Sequence, residues 1–214
     1  MITLTRLNRA EAARYLGGRS DGLTAEMERL LDECESLLLK NAAPKYLYRE
    51  LDPYSHGLVV GESIAAHLKD CDTAVISCAT LGLSVDRLIR EAQVTDMARA
   101  VVLDALASVA VEQLCDKLDA VVAGENPEKH MTYRFSPGYG DYPIELQGEF
   151  LRLLDAPRKI GLCTNESFLL TPVKSVTAIA GLSDKPIERR RSGCRSCNLR
   201  ETCKFRKVGD RCEF

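Results

Sequence analysis

Residues 97–114 read MARAVVLDALASVAVEQL, a run that is apolar on most faces of a helix. Such a helix is normally buried inside a domain rather than laid on its surface. The helical signal around it extends from Ser84 to Val122, with a break expected near Val94-Thr95. Three polar positions interrupt the apolar centre: Asp104, Ser108 and Glu112 fall four residues apart, so they stack in one stripe. A stripe of this kind is either a solvated face or a polar wall beside a ligand, and both readings stand at this point.

Working outward, the preceding chain opens with helices. Asn8 can cap Arg9–Leu16, and Thr24 can cap a run in which Met27, Leu30, Leu31, Cys34, Leu37 and Leu38 recur at helical spacing. Ala43-Pro44 ends that run, because proline cannot continue a helix. Lys45–Leu51 alternates like a strand, with Gly57–Val60 expected to pair nearby. Ser63–Leu68 suits a short helix, and Thr73–Thr80 a buried strand. On the other side, Met131–Tyr142 holds two glycines and a proline, too irregular for a standard element. Ile144–Leu154 reads as an amphipathic helix. Ile160–Leu170 and Val173–Leu182 read as two strands joined at Thr171-Pro172. Long helices with local strand pairs predict an α+β fold.

The 214 residues suffice for one large domain with a small appendage. The division expected is a domain over 1–186 and a cysteine-rich tail over 187–214. A net charge of −2 gives no global field pointing to nucleic acid or membrane. No apolar stretch reaches the roughly 20 residues that span a bilayer. The start lacks the basic region, apolar run and cleavage site of a signal peptide, so a cytoplasmic location is expected. Nine cysteines are present, an odd number that argues against a disulfide scaffold. Cys34, Cys71, Cys78, Cys115 and Cys163 are scattered and read as small buried hydrophobes. Cys194, Cys197, Cys203 and Cys212 crowd into the tail, where four thiolates can surround zinc or an iron–sulfur cluster. Arg195, Arg200, Lys204, Arg206, Lys207 and Arg211 interleave them, and could offset an anionic cluster or dock an acidic electron carrier. Arg189-Arg190-Arg191 reads as a solvated linker.

The irregular segment carries the chemistry. In Tyr133-Arg134-Phe135-Ser136-Pro137-Gly138-Tyr139-Gly140-Asp141, a guanidinium sits just before a Ser-Pro-Gly turn. Glycines let backbone groups approach a ligand closely. Arginine can grip a carboxylate through two parallel hydrogen bonds, and tyrosines supply flat apolar walls with a polar edge. An amino acid or nucleoside would suit such a segment, although an ordinary turn bearing a surface arginine would have the same composition.

Arg134-x-Ser136-Pro137-Gly138-Tyr139 resembles the Arg-x-x-Pro-Gly-Tyr segment of the activation domain of cobalamin-dependent methionine synthase. Further on, Glu166-Ser167-Phe168 followed by Pro172 and Ser175-Val176 is similar to that family's second segment. Two segments in matching order and spacing are more specific than either alone. The resemblance implies an α+β domain of long helices packed on a twisted antiparallel sheet, with a groove for S-adenosylmethionine. It further implies a role in reductive methylation of inactive cob(II)alamin on a separate methionine synthase, fed by a flavodoxin- or ferredoxin-like electron donor. Carried over, Arg134 holds the ligand's carboxylate, while the backbone around Ser136 and Gly138 and the ring of Tyr139 line the adenosyl part. Glu128 falls where the family places an acidic residue for the ligand's ammonium, with Glu112 on the stripe as a second candidate.

The chain departs from the family after the tyrosine. Gly140-Asp141-Tyr142-Pro143 replaces a Pro-x-Cys-Pro run and leaves Asp141 without an assigned role. No Asp-x-His-x-x-Gly cobalamin motif is present, since Asp52 and His56 are wrongly spaced, and His56 reads as a loop histidine. The cobalamin is therefore expected on a partner. Two other functions fit the same residues: a sensor of S-adenosylmethionine without chemistry, and a metal-bound interaction module for another corrinoid protein.

Overall fold

Asp96 divides the long helical signal in two. Its extended backbone ends α4 (Leu83–Thr95) by donating its N–H to the Ala92 carbonyl oxygen at 2.8 Å. Its side chain then caps α5 (Met97–Glu125) by accepting the Arg99 N–H at 3.0 Å. The computed structural model describes residues 2–18, 23–187 and 201.

Ahead of α4 come α1 (Arg9–Tyr15), capped by Asn8, and α2 (Ala25–Asn41), capped by Thr24, both as their sequences predict. β1 (Lys45–Leu51), α3 (Glu62–Leu68) and β2 (Thr73–Thr80) follow. After α5 lie β3 (His130–Met131), α6 (Leu146–Leu154), α7 (Ala156–Ile160), β4 (Cys163–Thr164), β5 (Leu170–Thr171) and β6 (Ser175–Ser183).

A four-stranded antiparallel sheet of order β1-β2-β6-β3 forms the middle layer. Successive side chains of a strand point to opposite faces, and β2 uses both. Ala74, Ile76 and Cys78 join a core with Leu58, Ile64, Leu68 and Phe150 beneath α3 and α6. Val75 packs with Leu118 and Val122 of α5, and Ala79 joins the largest core, built on α1, α2, α4 and α5. Burial of β2 on both faces explains its run of small and β-branched residues. Cys34, Cys71, Cys78 and Cys115 are buried as expected, whereas Cys163, read with them, is exposed on β4; burial pushes the Cys78 and Cys115 thiols up to about 12.

Three local expectations change. Gly57–Val60 is not a strand: Leu58 is buried in the core, and its carbonyl oxygen accepts the Tyr142 hydroxyl at 2.9 Å instead of joining a ladder. Ile160 ends α7, where Gly161 turns the chain with a φ of +73°. Thr171-Pro172 is not a hairpin tip either. The reversal occurs at Asn165, whose side-chain oxygen accepts the Ser167 and Leu169 N–H groups at 2.9 Å each. β4 and β5 therefore pair with each other, and β6 crosses to the centre of the main sheet.

Because Ile76 is fully buried where β2 meets the α3 and α6 layer, Ile76→Ala should lower unfolding stability by about 2–5 kcal/mol. Denaturant unfolding monitored by circular dichroism measures it, and a loss well under 1 kcal/mol would contradict this packing.

Candidate functional site

The polar stripe of α5 receives a cation from each of the two sequence segments. Arg134 follows β3, and the Phe135 backbone bonds to Ile179 of β6 in both directions at 2.9 Å, fixing the segment to the sheet. Its guanidinium meets Glu112 at 3.1 Å and Asp116 at 2.9 Å, and also pairs with Asp119. These carboxylates follow one another at helical spacing on α5, continuing the line begun by Asp104 and Ser108. Lys174, within the second segment, reaches the other end of that line. Its ammonium lies 2.9 Å from an Asp104 carboxylate oxygen and donates to Ser108 Oγ at 3.0 Å. The stripe thus carries protein cations along its length, while Asp104, Glu112 and Asp116 remain largely exposed to solvent.

Burial decides the electrostatics around Arg134, which is 18% exposed. Three carboxylates converge on one guanidinium, which cannot offset them all. Burial raises the Asp119 pKa to about 6, with Arg134 opposing the rise and Asp116 and Glu112 adding to it. Burial works against the Arg134 charge, but Asp119, Cys115 and Asp116 hold its pKa above the usual arginine value. The result is an anionic cluster around one fixed cation, with Glu112 and Asp116 still reaching solvent.

The glycine turn stands beside it. Tyr139 donates its N–H to the Ser136 carbonyl oxygen at 3.3 Å, and Gly138, at φ +94°, donates to the Tyr142 carbonyl oxygen at 2.8 Å. Ser136 is half-buried and Tyr139 is 65% exposed. Asp141, without a role in the sequence, has one here. Its carboxylate accepts the Glu62 and Ser63 N–H groups at 2.6 and 3.0 Å, capping α3 from outside. A Cβ on Gly61 would lie 2.8 Å from the Asp141 carbonyl oxygen, so this approach requires glycine. On the other side of the turn, His67 Nε2 lies 3.0 Å from the Tyr133 carbonyl oxygen and 2.9 Å from Thr132 Oγ1. Helix α3 thereby braces the segment at both ends.

Of the residues expected from sequence, Arg134 and Glu112 are brought together, with Ser136, Gly138 and Tyr139 in the adjoining turn. Glu128 is not joined to them; it is exposed in the turn after α5, near β3. Asp116 and Asp119 went unnamed in the sequence reading, although they extend the spacing of the stripe. Lys174 lay inside a quoted segment with no role attached. Cys194, Cys197, Cys203 and Cys212 lie outside the described residues. Among the described residues no group of three or more His, Cys, Asp or Glu could hold a metal. A separate cavity of about 420 Å³, lined by Leu151, Arg152, Asp155, Cys163 and Thr164 among others, holds none of the expected residues.

The class defined by this geometry is an α+β domain whose buried central helix, packed on an antiparallel sheet, presents a row of carboxylates to Arg134 and Lys174. The particular likeness is to a crystal structure of the MetH reactivation domain bound to AdoHcy. It has a TM-score of 0.58 and 17% identity, and covers 81% of this chain and 70% of that one. At this identity the likeness is one of fold, and the chain has the fold of that reactivation domain. The sequence matches no family model and no curated protein. Among the described residues, no helix is long and apolar enough to cross a membrane.

Asp119 gives the site a pH signature. Its folded pKa, about 6, exceeds an unfolded value of about 3.9, so the folded state binds the extra proton. Its contribution to stability is therefore full below about 3.9 and falls as the pH rises through about 6. Asp119→Asn should flatten the stability profile between these limits. Chemical denaturation at a series of pH values tests this, and parallel profiles for both proteins would contradict it.

Proposed function

We propose that this chain binds S-adenosylmethionine in the groove between the α5 stripe and the Ser136–Gly140 turn. The observation that carries the proposal is the Arg134 nest: one guanidinium among Glu112, Asp116 and Asp119, next to a glycine turn bearing an exposed tyrosine. S-adenosylmethionine has one carboxylate and two positive centres, the ammonium and the sulfonium. Arg134 suits the carboxylate, and the surplus carboxylates suit the cations. Glu112 would meet the ammonium, a role that its contact with Arg134 supports better than that of Glu128. Gly138 and the Ser136 backbone admit the nucleoside, and Tyr139 offers it a flat wall.

The function that follows is reactivation of a separate cobalamin-dependent methionine synthase in the cytoplasm. The corrinoid is the partner's, and this chain would present the methyl donor to it. Reduction of cob(II)alamin by one electron, followed by transfer of the donor methyl, gives methylcobalamin and S-adenosylhomocysteine. The sulfonium is already activated, so the work left to Arg134 and the turn is positioning. In this reading residues 1–186 form the donor-binding domain and residues 187–214 a metal-binding tail. There Cys194, Cys197, Cys203 and Cys212 would hold an iron–sulfur cluster or zinc, beside arginines and lysines suited to a flavodoxin- or ferredoxin-like electron donor. The likeness to a reactivation domain bound to AdoHcy supports the reading.

Isothermal titration of anaerobically purified protein with S-adenosylmethionine tests it. Saturable binding is expected, weakened by about tenfold or more in Arg134→Ala, since charge-assisted paired hydrogen bonds are lost. Binding that survives unchanged in the variant would remove the assignment of this groove. Adding a cobalamin-loaded methionine synthase and a reductant then distinguishes reactivation from sensing: only a reactivation factor yields the methylcobalamin absorption spectrum.

A further inference from the structure

The pairing of β3 with β6 slips by one residue at the position of Arg134. Met131 pairs with Leu182, and Thr132 donates its N–H to the Gly181 carbonyl oxygen at 2.9 Å. Unbroken pairing would bring Arg134 opposite Ile179. Instead Phe135 holds that place, exchanging both backbone bonds with Ile179 at 2.9 Å. Tyr133 and Arg134 therefore lie together opposite Ala180, one residue more than the partner strand supplies. An insertion of this kind bends a strand and re-aims its side chains. Here the Tyr133 ring turns to α3 and the Arg134 guanidinium to α5.

A side chain from another element closes this bulge. His67 Nε2 lies 3.0 Å from the Tyr133 carbonyl oxygen, which can only accept, so this nitrogen carries the proton. The Thr132 hydroxyl donates to the same oxygen at 3.1 Å and accepts the Gly181 N–H at 2.8 Å. The imidazole packs edge-on against the Tyr133 ring, with centres 4.4 Å apart, and its centre lies 5.2 Å from that of Phe135. Ile64 and Leu68, neighbours of His67 on α3, are fully buried in the core, so the clasp has a fixed base. Resting on the reading of Arg134 as the partner of the ligand's carboxylate, we infer that His67 is a positioning residue for ligand binding: it locks the bulge that aims Arg134 along α5. Its effect on the ligand therefore passes through the guanidinium and is confined to the carboxylate that the guanidinium holds.

The test titrates the full chain with S-adenosylmethionine and with its decarboxylated form, which differ only in that carboxylate. His67→Leu keeps much of the side chain's bulk but donates no hydrogen bond. It should weaken S-adenosylmethionine binding by about tenfold, the scale of one hydrogen bond left unmade, and change the decarboxylated ligand by less than about twofold. His67→Gln, whose amide nitrogen can reach the same carbonyl, should restore S-adenosylmethionine binding to within about threefold of the wild type. Equal S-adenosylmethionine binding by the wild type and His67→Leu, with Arg134→Ala still weakened, would overturn the role of His67 and leave the groove assignment standing. Equal losses for both ligands would make His67 a structural residue only. If the wild type binds neither ligand, both readings fall together. Should His67→Leu fail to fold, His67→Asn takes its place with the same expectation, because its amide is one carbon too short for the bond.

Discussion

One guanidinium held by three carboxylates on α5 fixes the segment that follows β3. Arg134, at 18% exposure, has the cost of burying its charge offset by Asp119, Asp116 and Glu112 lying against it. Asp119 can stay beside the core only because the guanidinium offsets part of its cost. Lys174, 11% exposed, repeats the arrangement two to three turns earlier on the same helix, with Asp104 and Ser108. Two segments distant in sequence are thereby fastened to one rigid element, itself buried against the sheet. The glycine turn inherits its position from this anchorage and from Asp141, which ties it to α3.

An arrangement with surplus negative charge is suited to exchanging partners. A ligand carboxylate arriving at Arg134 competes with carboxylates that are individually under-compensated, and a ligand cation relieves the repulsion left behind. The local chemistry therefore favours a zwitterion with extra positive charge over a simple anion. No nucleophile is needed for such a role, which agrees with a Cys115 thiol that burial raises to about 12.

Much of the architecture was legible in the chain. Capping residues Asn8 and Thr24, the proline after α2 and the apolar periodicity of α2 and α5 are local signals, and they hold because tertiary packing agrees with them. The paired-strand reading of residues 160–182 failed for a different reason. β-branched and apolar runs mark strands without naming their partners, and the Asn165 turn that redirects β4 acts through a side chain in an unremarkable sequence. At the site, Arg134 and its turn were found by resemblance, and Glu112 by spacing. Asp116 and Asp119 extend the same helical face, but nothing in sequence says that a guanidinium from another element lands there. The parallel case is Asp141, whose partners Glu62 and Ser63 lie far away along the chain.

A structure determined from crystals grown with S-adenosylmethionine would test the central claim most directly. The account predicts the ligand's carboxylate on the Arg134 guanidinium, its ammonium beside an α5 carboxylate, and its nucleoside against the Gly138–Tyr139 turn. Ligand bound instead in the cavity lined by Arg152 and Cys163, with the Arg134 nest undisturbed, would contradict it.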